Sequence, residues 1–166
     1  MKKLFYLTFV FMLSFSLMLT SCSNDDDNEN SNNNSQQIAE IESNVQSGAW
    51  RITSFIDSGQ DETSDFNGYD FSFNSDGSLV ATNGTNSQMG TWSVTDDSSN
   101  NSSDDDGFDD SDDDIDFNIF FPVPESNDFE DLNDDWDIVS YSATTIQIMD
   151  VSGGNGGTDL LTFTRN

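Results

Sequence analysis

The chain has 166 residues, enough for one domain, with 32 acidic residues against 4 basic ones and a formal charge of −28. Such a surface repels nucleic acid, whose binding depends on neutralising phosphates with lysine and arginine, and it attracts cations and basic partners. With no histidine, a single cysteine and both lysines at the extreme N-terminus, Ser/His and Cys/His nucleophile systems and thiolate or imidazole zinc sites are excluded, which leaves carboxylate chemistry.

The N-terminus opens with Lys2 and Lys3, continues with an apolar run over 4–19, and reaches Leu19-Thr20-Ser21-Cys22. Basic start, hydrophobic centre and small residues before a cleavage point define a secretory signal peptide over 1–21. The run falls short of the roughly 20 apolar residues of a membrane span and is broken by Thr8, Ser14 and Ser16. The last four residues resemble the lipobox of bacterial lipoproteins. That resemblance implies cleavage before Cys22 and a lipidated thiol, an anchor to the membrane rather than a span. No disulfide or thiol site then remains. The mature chain has 166 − 21 = 145 residues, and its cations are Arg51 and Arg165, for a formal charge of 2 − 32 = −30.

Residues 23–35 contain no apolar side chain, so the lipidated Cys22 and the segment to residue 35 read as a flexible acidic tether. Asp25-Asp26-Asp27 resembles the export signal of surface lipoproteins of the Bacteroidetes type, which implies the outer face of the outer membrane; the periplasmic face stays open as the alternative. The folded domain is expected over 36–166. Ile38, Ile41 and Val45 are spaced three and four apart, which predicts a short amphipathic helix over 36–47, capped by Ser35 and ended by Gly48.

From residue 48 the period changes to two, and about eight strands follow. The segment 49–56 puts Trp50, Ile52 and Ile56 inward. Tyr69, Phe71 and Phe73 alternate with polar residues, Ser75-Asp76-Gly77 makes a hairpin turn, and 79–82 returns to the Asn83-Gly84 turn. The segment 90–95 faces Trp92 and Val94 inward. Ile115, Phe117, Ile119 and Phe121 alternate next, then Trp136 with Ile138, Ile146 with Ile148, and Leu161 with Phe163 in a last strand over 158–165 after a glycine loop at 153–157. Phe55, Phe120 and Tyr141 fall on the polar faces and are candidates for exposed contacts. The acidic stretch 96–114 reads as a disordered loop. A helical turn is expected at 127–133, capped by Asn127, with Phe129 and Leu132 inward.

Eight antiparallel strands with short turns close into an up-and-down barrel without exposed edges. Gly48-Ala49-Trp50 at the start of the first strand, Arg165 at the end of the last, Gly90-Thr91-Trp92 and the segment 129–140 resemble lipocalin-like lipoproteins of the Bacteroidetes over residues 48–165. The resemblance implies an all-β, eight-stranded lipocalin-like barrel in which Arg165 packs over Trp50 as a structural pair. A small barrel can hold one apolar ligand at its mouth, and alternation makes Tyr69, Phe71, Phe73, Trp92, Phe117 and Trp136 the candidate interior, with plain core filling as the alternative.

The expected role is a monomeric, non-catalytic binding module, anchored in the outer membrane, for a small apolar ligand, a glycan or an envelope partner. The alternative is a structural or adhesive surface lipoprotein with a filled barrel. No cofactor is expected beyond weak calcium. Gly107 at the sixth position of an EF-hand-like loop aligns Ser102, Asp104, Asp106 and Asp113 with ligand positions, but the first ligand is wrong and no flanking helices are predicted. Loose calcium binding would follow from charge alone. A carboxylate-pair hydrolase needs one acid in an apolar setting, and no residue marks one.

Overall fold

The computed structural model describes residues 29–96, 115–151 and 157–166, with side chains from residue 34 onward. The elements are α1 (Glu29–Val45), β1 (Trp50–Asp57), β2 (Gln60–Asp61), a 3-10 turn (Thr63–Phe66), β3 (Asp70–Phe73), β4 (Ser78–Thr82), β5 (Ser87–Asp96), β6 (Ile115–Phe120), a 3-10 turn (Glu130–Leu132), β7 (Asp134–Tyr141), β8 (Thr145–Val151) and β9 (Thr158–Arg165). The sheet runs antiparallel in chain order, and β9 pairs back onto β1. Of the nine described strands, β2 is a two-residue arm on the end of β1, and the other eight close a lipocalin-like, up-and-down barrel.

Alternation builds the wall. In β6, Ile115, Phe117 and Ile119 are buried and Asp116, Asn118 and Phe120 face outward. The β3–β4 hairpin closes where predicted: Gly77 takes φ +79°, and the Asp76 carboxylate accepts from the backbone N–H and the hydroxyl of Ser78. Gly90 serves packing instead of a turn. A Cβ there would meet the Phe120 carbonyl oxygen at 2.3 Å and the Phe121 ring at 2.9 Å, so glycine lets the end of β6 lie against β5.

Two bulges overturn the alternation read from sequence. The β1–β9 register shifts between Ile52 and Ser54, and the β7–β8 register between Ile138 and Ser140. One extra residue flips every later side chain to the other face. Phe55 therefore turns fully into the core in place of Ile56, which is half-buried, and Tyr141 packs partly against the core. Neither is the exposed contact expected of it; Phe120, at 53% exposed, is.

The helix also differs. It begins at Glu29 instead of residue 36, so Ser35 lies inside the helix instead of capping it. The asparagine-rich first half has weak intrinsic propensity; tertiary contact holds it. Asn34 is buried, and its Nδ2 donates to the Asp96 carboxylate at 3.3 Å, while Ile41 and Val45 sink into the core. Gly48, at φ +122°, marks the exit as predicted. The turn expected over 127–133 narrows to a 3-10 turn at Glu130–Leu132, with Asn127 Oδ1 accepting from Phe129 N–H and with Phe129 and Leu132 buried.

Candidate functional site

One end of the barrel is shut by α1. Trp50 Nε1 donates to the Val45 carbonyl at 2.8 Å, and Arg165 Nη2 donates to the Asn44 carbonyl at 2.9 Å. The Arg165 guanidinium carbon stands 5.2 Å from the Trp50 ring centroid. The helix has no basic residue in its own last turn, so β9 supplies the cation that its C-terminal carbonyls favour. Trp50 and Arg165 are thus brought together as a structural pair, paired also in the β1–β9 register.

The six residues expected to line a ligand cavity lie in the core. Phe71, Phe73, Trp92, Phe117 and Trp136 are buried, and Tyr69 is half-buried. They pack on one another and on rings from other strands. Phe73 meets Trp92 at 5.4 Å, Phe117 at 5.6 Å and Phe163 at 5.5 Å between centroids, mostly edge to face. Phe71 meets Phe163 at 5.3 Å, and Trp92 stacks on Phe117 at 5.9 Å. These are ordinary core aromatic separations. The lumen at this level is filled by side chains.

The end away from α1 is stoppered by residues on connecting segments. Phe66 and Phe129 meet at 5.4 Å; Phe66 also packs on Phe55 at 5.7 Å, and Phe129 on Tyr69 and on Phe121, each at 5.0 Å. Thr63 ties the first segment down, its Oγ1 accepting from Phe55 N–H at 2.8 Å. Asn133 ties the second, accepting from Phe121 N–H and donating to Phe121 O at 3.0 Å. Sequence reasoning missed Phe66. It is a lone aromatic between polar residues, without period, and only the fold of the β1–β3 connection turns it inward.

A groove lies on the outer wall. It has a volume of about 570 Å³ and runs over β5, β6 and the start of β7, lined by Thr91, Trp92, Ser93, Asn118, Ile119, Phe120, Glu130, Asn133 and Asp134. Thr91, Ser93, Asn118 and Phe120 belong to the outward face of the sheet. Burial, the Asp135 side chain and the charges of Asp150 and Asp135 push the Asp134 carboxyl up to about 6, although Asp135 N–H donates to its Oδ1 at 2.9 Å. Asp134 was also missed, because one acid among 32 carries no sequence signal. Phe120 had such a signal: an aromatic at an outward position.

Cys22, residues 1–21 expected to form a signal peptide, and Asp104, Asp106 and Asp113 of the acidic stretch lie outside the described residues, as does most of the glycine loop. Among the described residues, no group of three or more acidic side chains is placed to hold a metal ion, and no helix is long and apolar enough to cross a membrane.

No family model and no curated protein matches the chain. Among solved structures, a DUF4847 family protein from Bacteroides vulgatus ATCC 8482 is similar at 16% identity over 76% of this chain and 97% of that one, with a TM-score of 0.45.

Proposed function

We propose that this chain is a non-catalytic binding module of the bacterial envelope, a lipocalin-like lipoprotein of the Bacteroidetes type that meets a partner protein through the outer wall of a filled barrel. The observation that carries this reading is the interior. Phe73, Trp92, Phe117 and Phe163 interlock inside it, α1 covers one end, and Phe66 with Phe129 covers the other. A ligand in the lumen would have to displace rings whose burial is worth about 1.5–3 kcal/mol each. Contact on the outside displaces none of them. The anchor rests on the basic, apolar and lipobox order of residues 2–22, and the outer face on Asp25-Asp26-Asp27. The non-catalytic reading rests on a mature chain that holds no histidine, lysine or free thiol.

The test is made on the full chain in a Gram-negative host of the Bacteroidetes type. Labelled palmitate is expected to enter the wild-type protein and not Cys22→Ala, and protease added to intact cells is expected to remove it. Native mass spectrometry of the detergent-released protein is expected to show the polypeptide and its lipid alone. An additional small molecule that leaves on organic extraction would overturn the filled-barrel reading, and palmitate in Cys22→Ala would overturn the anchor.

A further inference from the structure

The ladder of the barrel is open at one seam. Every other neighbouring pair of wall strands is joined by four or more residue pairs. β1 and β3 are joined by the single pair Trp50–Phe71, at the end that α1 shuts. Beyond it, β1 bonds its own connection instead of β3. Ile56 and Asp57 pair with Asp61 and Gln60, the Phe55 carbonyl accepts from Glu62 N–H at 3.0 Å, and Phe55 N–H donates to Thr63 Oγ1. The Thr63–Phe66 turn on that connection then carries Phe66 to Phe129 of the β6–β7 connection, 5.4 Å between ring centroids. Two connections meeting ring to ring thus finish a closure that strand pairing leaves incomplete.

We propose that this junction is an electrostatically loaded gate. At neutral pH and low salt the two connections part and the β1–β3 seam opens, while the other seams and the ring cluster around Phe73 stay closed; screening or protonation shuts it. The inference goes beyond the outer-wall reading above and does not depend on it.

The load follows from what flanks the two rings. Asp65 precedes Phe66, and Asp128 and Glu130 flank Phe129, so the ring contact itself draws like charges of the two halves together. The titratable groups around the junction are Asp57 on β1, Asp61 on β2, Glu62 and Asp65 on the first connection, Asp128, Glu130 and Asp131 on the second, and Tyr69, which packs on Phe129. None of them is a cation. Arg51 pairs with Asp70 at 2.9 Å, and Arg165 lies over Trp50 at the opposite end. The repulsion runs both ways across the seam: after burial, Glu62 is raised by Asp57, Asp131, Asp65 and Asp128, and Asp131 by Asp57, Glu130, Asp128 and Asp65.

The opposing force is apolar. Phe66 and Phe129 are buried, and parting exposes them. Repulsion acts in full only in the closed state, and its range shrinks from about 30 Å at 0.01 M salt to about 3 Å at 1 M. A carboxyl raised in the closed state holds its proton more tightly there than in the open one. Closure therefore strengthens as pH falls toward the raised values and weakens as pH rises through them. A seam with one ladder pair also loses few backbone bonds on opening, which is what local opening without global unfolding requires.

The experiment is amide hydrogen exchange, read by NMR on the full-length, isotope-labelled chain. The N–H groups of Glu62, Tyr69 and Asn133, bonded to the carbonyls of Phe55, Phe66 and Glu130, report the gate, and the ladder amides of β6 and β9 report the wall. At pH 7, protection of the gate amides is expected to rise about tenfold between about 0.01 M and about 1 M salt, against about twofold or less for the ladder amides. Glu62→Gln with Asp131→Asn should give most of that gain already at low salt. Glu40→Gln with Glu42→Gln, which removes the same charge from α1 at the opposite end, should give none. Gate protection indifferent to salt, an equal response of gate and ladder amides, or an equal gain from the α1 variant would each overturn the proposal.

Discussion

Arg165, the penultimate residue, lies over the ring of Trp50, the first residue of β1, and binds the carbonyl of Asn44 at the end of α1. One side chain thus joins the last strand, the first strand and the helix that shuts the barrel. Its Nε is buried without a hydrogen-bond partner among the described residues, which leaves the indole face as the neighbour that stabilises the charge on that side.

Removing this junction should be costly. A cation–π contact in a desolvated setting contributes about 1–2 kcal/mol, and a charged donor on a carbonyl about 1.5–3 kcal/mol. Arg165→Ala is expected to lower stability by about 2–4 kcal/mol in urea unfolding, read as a shift in midpoint at constant slope, with Arg165→Lys in between. A loss under about 0.5 kcal/mol would show that α1 docks by its apolar face alone.

The stopper residue Phe66 offers a second test. It is 2% exposed and touches Phe55 and Phe129. Phe66→Ala should cost about 3–5 kcal/mol while the strand signal in circular dichroism stays. The same variant should open an apolar hole at that end and bind a fluorescent apolar dye that the wild type excludes.

Gly90 is expected to tolerate no side chain. A Cβ placed there approaches the Phe120 carbonyl to 2.3 Å, and backbone cannot swing aside as a side chain can. Gly90→Ala should destabilise by about 1–3 kcal/mol, the usual cost of overpacking, and should shift the amide resonances of Phe120 and Phe121. Unchanged resonances and stability would mean that β5 and β6 are less closely apposed than described.

Stability should peak on the acid side of neutrality. Asp134 is raised from 3.8 to about 6 by burial and its acidic neighbours. Glu62 and Asp131 are raised by burial first, and then by the charge of Asp57 and other nearby acids. A raised carboxyl contributes its stability in full below its unfolded value and loses it as pH rises through its folded one. Asp61, Asp70 and Asp76 go the other way, held down by bonds from Thr63, from Arg51 with Asn166, and from Ser78. Their contribution is present above 3.8 and lost as pH falls below it. The melting temperature is expected to rise from pH 7 to about 5 and fall again below about 4. Asp134→Asn should flatten the upper limb of that curve.

Added salt should raise the melting temperature at pH 7. About thirty net negative charges repel one another across a small domain, and at ~0.15 M salt the screening length shrinks to about 8 Å. A flat response from low salt to that concentration would place the charges too far apart to couple.

The wall of the barrel was readable because burial on a strand repeats every second residue. Phe71 with Phe73, Phe117 with Ile119, and Leu161 with Phe163 all occupy the face that alternation assigns them. Reading failed at Phe55 and Tyr141 for one reason. Each follows a bulge, at Ile52–Ser54 and at Ile138–Ser140, and a bulge is a relation between two strands, invisible in either one alone. The start of α1 escaped for a similar reason. Asparagines at 32–34 predict no helix, and what secures Asn34 is Asp96, on a strand remote in sequence.

The amino-acid sequence by itself determined the class of the molecule: an acidic chain with alternating aromatic strands and hairpin turns at Gly77 and Gly84. Those are local or compositional properties, and local physics is enough to read them. Tertiary structure decided whether the barrel holds a space. That depends on how Phe66, Phe129 and the ring cluster around Phe73 fill the interior from separate segments, a matter of summed volume across contacts distant in sequence. It decided in the same way that Thr91, Ser93, Asn118 and Phe120 share one outward face, because only the β5–β6 register brings those positions together.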